Sequence, residues 1–351
     1  MAASRSITIK DVAAAAGVGV ATVSRVLSGT GSVSPRTRDR VLAAARELDY
    51  RPSALGRSLK LQRTGSIGLL IPDVTDPFCA GLVAGVLECA RSLGEHVILD
   101  VSQDDPAREA EVVDRLVEQR VDGIIALPAR ADAAHWASAG RLGLAVVFVD
   151  HFEPGSAERP QPPAVVADDR AGVRSVVEYL VGLGHRRIGF LGGPAATPTG
   201  RLRAEAFAET LRDLGVTPDG DLVVRSRSSR DSAYAAAASL FQRRRSDMTA
   251  VLAGNHLLGE AAVLVAREFD LRVPADVSIA MVDDVAWAEL CDPPLTAVAR
   301  PAGDIGYRAC ELLLRDPNRA GDRARRDGGR PVVLPTELIV RGSCGPPART
   351  R

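Results

Sequence analysis

A chain of 351 residues has room for two or three domains. Its 46% hydrophobic content can fill a sizeable core, which excludes wholesale disorder, and no run of about eighteen uncharged apolar residues offers a membrane span. Forty-four Lys and Arg balance forty-four Asp and Glu, but residues 1–65 hold eleven basic side chains against four acidic ones and the remainder carries the opposite excess. A basic head on an acidic body points to a polyanion met by the head alone. The first ten residues have no apolar signal core, and the five cysteines are scattered without a C-x-x-C pair. A reducing, cytoplasmic setting is therefore expected, with neither a disulfide scaffold nor a zinc ribbon.

Residues 8–50 predict three short helices. Thr8 stands as a cap with Asp11 three places on, the Ala-rich stretch from Ile9 to Ala16 ends at Gly17, and Gly17-Val18-Gly19 supplies a turn. A second helix runs from about Val20 to Leu27 and stops at Ser28-Gly29. Helix, short glycine-containing turn, helix is the helix-turn-helix pattern. Ser34-Pro35 is a cap followed by a first-turn proline. Val41, Leu42, Ala45 and Leu48 then fall at helical spacing on a third helix whose early turns carry Arg36, Arg38 and Arg40. Periodicity and charge alone are equally satisfied by a three-helix bundle with solvated arginines.

The residues themselves say more. The runs Thr8-Ile-Lys-Asp-Val-Ala, Gly17-Val-Gly-Val-Ala-Thr-Val-Ser-Arg25-Val-Leu and Val33-Ser-Pro-Arg-Thr-Arg-Asp-Arg-Val resemble the DNA-binding head of the lactose/galactose repressor (LacI–GalR) family, and the resemblance continues to about residue 347. It implies that the helix from Val20 enters the major groove with Val20, Ala21 and Arg25 facing the bases, while Thr22, Ser24 and Arg36 hold phosphates. Arg25 suits a bidentate pair with guanine O6 and N7; Val20 and Ala21 offer only apolar contact, as to a thymine methyl. Gly19 stands where the family usually has a capping Ser, a loss of a few tenths of a kcal/mol.

Residues 51–65 form a hinge segment. Ser53 is a candidate cap, but a helix of about seven residues is too short to stand alone in water, and Gly56 weakens it further. By itself the segment reads as a linker. The resemblance implies that it folds on DNA beside a second copy and inserts Leu59 as an apolar wedge in the minor groove.

From Ser66 short apolar runs alternate with helical patterns. The runs are Ile67–Ile71, Val97–Val101, Gly123–Leu127, Ala145–Asp150, Ala164–Asp168, Arg187–Gly192, Asp221–Val224, Ala250–Ala253 and Val277–Val282, with helices such as 77–93, 107–119, 171–183 and 257–269 between them. Repeated βα units mean parallel sheets, and nine runs are many for one small sheet. The expected fold is an all-α helix-turn-helix head plus an α/β core of two parallel-sheet subdomains, which is similar to the periplasmic-binding-protein-like core of the family. The expected division is 1–50 for the head, 51–65 for the hinge, 66–163 with 297–325 for the first subdomain, 164–296 with 326–345 for the second, and 346–351 for a disordered tail. Val332–Leu338 resembles the last strand of the second subdomain, and the Pro-rich end has no leucine heptads to assemble tetramers.

An open α/β sheet places its ligand past the carboxyl ends of its strands. By family position, Asp73, Phe78, Asp150, Arg203, Asn255 and Asp283 are candidate effector contacts, with Trp287 nearby and His256 beside Asn255 as further candidates. Carboxylates, an amide and a guanidinium converging there suit a hydroxyl-rich ligand such as a sugar or sugar derivative. Singly, each has a plainer role: a helix cap for an Asp, solvation for an Arg, core packing for Trp287. Two departures from the family stand out. Ser228 takes the place of a common aromatic ring, and His256 follows Asn255 where Asp is usual, either as a ligand contact or as a helix-start residue. Arg203, Arg227 and His256 together raise an acidic or phosphorylated sugar.

The expected function is that of a cytoplasmic, nucleoid-associated transcriptional regulator, a repressor that binds a near-palindromic operator as a homodimer and answers to a small polar effector. No cofactor, metal or membrane is expected, since the five His are isolated. The competing readings are a transporter's solute-binding protein and an α/β enzyme. The basic head argues against the first; the absence of G-x-G-x-x-G after the first strand, of G-x-x-x-x-G-K-[ST] and of G-x-S-x-G argues against the second.

Overall fold

In the computed structural model, which describes residues 7–28, 31–50, 64–152, 161–227, 229–243, 248–315 and 330–347, the chain divides into two units at Gly65. The first is built from α1 (Ile9–Ala16), α2 (Val20–Ser28) and α3 (Pro35–Glu47). The Thr8 amide and hydroxyl both donate to Asp11 Oδ2 at 2.7 Å, and Gly17, at φ 61°, closes α1 in the left-handed region that glycine enters freely. Ser34 Oγ accepts the Thr37 amide at the start of α3. Val12, Ala16, Val23, Val26, Val41 and Ala45 pack inward as one small core. Arg40, exposed like Arg36 and Arg38, also donates from α3 to the Ala16 and Gly17 carbonyls, satisfying groups that the end of α1 leaves unpaired.

The second unit begins with β1 (Ser66–Ile71), α4 (Pro77–Leu93), β2 (His96–Val101), α5 (Pro106–Glu118), β3 (Gly123–Ala126), α6 (Ala134–Arg141), β4 (Ala145–Val149) and β5 (Ala164–Ala167). It continues through α7 (Asp169–Gly182), β6 (Ile188–Gly192), α8 (Pro198–Asp213), β7 (Val223–Arg225), α9 (Arg230–Arg243), β8 (Ala250–Ala253) and α10 (His256–Glu268). β9 (Ser278–Val282), the short α11 (Ala286–Glu289), β10 (Thr296–Ala299), α12 (Ala302–Arg315), β11 (Val332–Leu334) and β12 (Glu337–Ile339) complete it. The strands form two six-stranded sheets, ordered β11-β5-β4-β3-β1-β2 and β12-β10-β9-β8-β6-β7. All pairings are parallel except β10 with β12. Helices cover the sheets, which is why β1, β3, β4, β6, β8 and β9 are nearly unbroken runs of buried apolar residues.

Four boundaries differ from the sequence expectation. β10 (Thr296–Ala299) pairs with β9 in the second sheet, so the division expected between 296 and 297 falls after Ala299. The run from Ala164 pairs with β4, so the first passage between sheets follows Ala167 and does not fall near 163. The Val332–Leu338 run is two strands: β11 extends the first sheet beside β5, and β12 closes the second beside β10. The Asp221–Val224 run opens as a 3-10 turn over Gly220–Leu222, and its strand is Val223–Arg225. The chain therefore passes between the sheets three times, after β5, after β10 and after β11. The passages after β5 and after β11 lie abreast: the Asp168 amide donates to the Leu334 carbonyl at 2.8 Å, and Thr336 Oγ1 donates to the Asp168 carbonyl at 3.1 Å.

After β10 the chain returns to the first sheet, where α12 packs on α4 at backbone distance. A Cβ on Gly85 would stand 1.9 Å from the Gly303 carbonyl oxygen, and one on Gly306 would stand 2.1 Å from that of Leu82. At the other end, Ser343 stitches the chain into the second sheet by accepting the Thr296 amide and donating to the Ile279 carbonyl. Pro347, inside the tail expected to be disordered, lies beside Gly184. The hinge residues 51–63 with Leu59, position 228, and residues 348–351 fall outside the described residues. Among the described residues no helix is long and apolar enough to cross a membrane.

Candidate DNA-binding surface and ligand site

On α2 the 3.6-residue period divides the side chains cleanly. Val23 and Val26 turn into the head core, while Val20, Ala21 and Arg25 are exposed and Thr22 and Ser24 are half-buried beside them. Arg36 is exposed on the first turn of α3. The helix thus has an outer face of two small apolar groups and one guanidinium, on the unit that carries the basic excess.

In the second unit, residues just past the carboxyl ends of both sheets meet at a seam. Arg300, the residue after β10, is its centre, with a side chain only 4% exposed. Its guanidinium pairs with Asp150 after β4, with Asp169 Oδ1 at the start of α7 (2.9 Å) and with Asp283 Oδ1 after β9 (3.2 Å). It also lies 4.0 Å from the centroid of the Phe78 ring. Asp150 and Asp283 adopt φ of 62° and 74°, a left-handed conformation costly for most residues and less so for Asp. Such outliers gather at functional sites.

A second guanidinium lies beside the first. Arg203, on α8, donates through Nε and Nη2 to Asp169 Oδ2 at 3.1 and 2.9 Å and through Nη1 to the Gly254 carbonyl at 2.7 Å. Burial works against its charge, but Asp169 and Asp283 more than compensate and hold its pKa above the usual value. For Arg300 burial prevails over the pull of Asp76, bringing it down to about 9, so it remains protonated at neutral pH. On the first-sheet side, burial and then the charges of Asp76, Glu109 and Asp73 push the Asp104 carboxyl up.

Residues 8–53 match the family described as bacterial regulatory proteins, lacI family, and residues 177–344 match the periplasmic binding protein-like domain. The HTH-type transcriptional regulator DegA of Bacillus subtilis is 32% identical over 346 residues, covering 97% of this chain and 98% of the relative. The chain belongs to the LacI family. Among solved LacI-family structures, the transcriptional regulator CelR–cellobiose complex is 32% identical, covers 96% of this chain and 99% of its own, and superposes with a TM-score of 0.71. The lac repressor dimer bound to operator and the anti-inducer ONPF is 26% identical, covers 97% and 100%, and has a TM-score of 0.81. This LacI-family chain is a transcriptional regulator with a DNA-binding head and a binding-protein-like core.

The structure distributes the expected effector residues unevenly. Phe78, Asp150 and Asp283 gather around Arg300, and Arg203 joins them through Asp169. His256 opens α10 and also faces the seam, with Nδ1 3.5 Å from Asp283 and Nε2 3.9 Å from Asp76. Burial alone would lower its pKa; Asp283 and Asp76 overcome that and raise it. Asn255 caps α10 through Oδ1. Asp73 is exposed and folds onto the amide and hydroxyl of Thr75, while half-buried Trp287 packs on the second sheet's core. Of Arg203, Arg227 and His256, the first is bound to Asp169, the second is exposed on its loop and the third lies between two carboxylates.

Sequence reading missed Arg300 and Asp169. A lone arginine reads as solvated and an Asp at a helix start reads as a cap. The available signal was position: Arg300 follows a buried run and precedes Pro301, so it ends a parallel strand where ligand residues belong.

Proposed function

We propose that the chain is a ligand-controlled repressor: a homodimer whose paired heads bind a near-palindromic operator and whose second unit holds a small polar effector, a sugar or sugar derivative, at the seam around Arg300. The α2 face carries this reading. Exposed Val20, Ala21 and Arg25 over inward Val23 and Val26 form a surface of the size and charge that enters a major groove. Val20 and Ala21 suit apolar contact with a thymine methyl, Arg25 suits a guanine edge, and Thr22, Ser24 and Arg36 suit phosphates. Two heads on a near-palindrome require two-fold symmetry.

The relatives support both halves of the proposal, one being a dimer on operator DNA and another a complex with cellobiose. Carboxylates, guanidinium groups and one aromatic ring at a seam suit hydroxyl recognition. Effector binding changes the angle between the two sheets' lobes, and with it the joint geometry of two hinge segments on DNA, Leu59 included. Induction and co-repression use the same parts with opposite differential affinity.

A gel shift of the full chain on duplexes from its own upstream region, titrated with salt, tests the proposal. The logarithm of affinity should fall linearly with the logarithm of salt, with a slope of about −0.9 per neutralised phosphate. No retention of any duplex at low ionic strength overturns it, which is the result that a solute-binding protein or an enzyme would give.

A further inference from the structure

Arg300 does more at the seam than tie two sheets together. Three carboxylates from three elements, Asp150, Asp169 and Asp283, surround its guanidinium, and the Phe78 ring lies against it. Carboxylates beside an aromatic face are the chemistry that recognises an organic cation. Here the protein supplies that cation itself. Arg300 Nε and Asp169 Oδ1 face each other at 2.9 Å and His256 Nδ1 lies 3.5 Å from Asp283 Oδ2, ion pairs that fall short of hydrogen-bond geometry and leave the groups of the cage held by charge more than by directed bonds. Arg203 is already bound to Asp169, and Asp76 adds a fourth carboxylate beside His256. Two guanidinium groups and the His256 ring therefore face four carboxylates, so the basic groups are outnumbered at the site.

We propose that Arg300 is the specificity-determining residue of the effector site, the resident cation of a carboxylate–aromatic cage, and that it restricts the ligand class to neutral hydroxylated molecules. The proposal rests on the effector reading above and names the ligand class of that site. A neutral sugar donates its hydroxyls to the remaining carboxylate lone pairs and accepts from the remaining guanidinium hydrogens. An acidic or phosphorylated sugar meets four carboxylates at close range. Without the guanidinium, the same cage becomes a site for a protonated amine.

Calorimetric titration of the full chain with cellobiose and maltose (neutral), glucosamine (cationic), and glucuronate and glucose 6-phosphate (anionic) tests this in wild type, Arg300→Lys and Arg300→Gln, each checked for folding by circular dichroism. Wild type should bind a neutral probe at least about tenfold more tightly than either anion, Arg300→Lys should keep that order, and Arg300→Gln should gain about tenfold or more for glucosamine. Should Arg300→Gln fail to fold, the order in wild type and Arg300→Lys decides. Tighter binding of an anionic probe by wild type overturns the proposal while leaving an effector site in place. So does an unchanged order of affinities in folded Arg300→Gln, the outcome of a purely structural tie. Glucosamine binding gained by Arg300→Gln where wild type ignores every probe supports the cage and sinks the neutral-sugar reading. Silence of all variants overturns the proposal, and operator binding in the same preparation keeps that failure separate from failure of the regulator reading.

Discussion

Arg25 and Arg36 belong to the same basic head, yet their positions assign them different consequences. Arg25 lies on the outer face of α2, so Arg25→Ala should relax preference at one base pair by about 1–3 kcal/mol and spare the others, measured by gel shift on single-base operator variants. Arg36→Ala should weaken every duplex alike and reduce the salt slope by about one. His185 is a different kind of residue. It is 1% exposed, its Nδ1 is 2.7 Å from Thr249 Oγ1, and its Nε2 is 2.9 Å from the Gly345 carbonyl, a pairing that suits a neutral ring donating through Nε2. Burial lowers its pKa, and the Gly345 carbonyl only partly offsets this. The unfolded chain takes up the proton first, so this stability is complete above about pH 6.5 and declines as pH falls from there towards the folded value. Urea melts between about pH 7 and 5 should show a shallower decline in His185→Gln than in wild type, and an NMR titration of His185 should centre below about 6.5.

Elements are held by two contrasting devices, backbone contact and side-chain stitching. Where α4 and α12 cross, the glycines leave no room for a methyl group, so Gly85→Ala must push the helices apart. It should cost about 1–3 kcal/mol or more in urea unfolding. Ser343→Ala removes the acceptor of the Thr296 amide in a fully buried place and should cost about 1–3 kcal/mol by the same measurement. Most strands were legible because a parallel strand covered on both faces is an apolar run. Their assignment to a sheet was not, since Ala164–Ala167 is equally apolar whichever sheet it joins. Val332–Leu338 looked like one strand because the division depends on Pro335-Thr336, a two-residue passage visible only once both sheets exist. The same limit governed the site. Asp150 and Asp283 end runs that were recognised, whereas Arg300 ends β10, a run that was not, and its three partners come from distant parts of the chain.

At the scale of the whole molecule, a basic head and an acidic core separate DNA binding from the proposed ligand site by charge as well as by sequence. The proposed assembly is two-fold, and sedimentation at micromolar concentration should give a dimer; a stable monomer there contradicts it. The three passages between the sheets have a mechanical consequence. A single tether would let one lobe swing, slide and spin against the other. Three tethers, two of them cross-linked from Asp168 to Leu334 and Thr336 and the third tied in by Arg300 to Asp169, resist independent bending, which favours one axis over the rest. Arg300 lies on one tether and holds Asp169 at the end of another, so a displacement of its side chain is felt by the neighbouring tether as well.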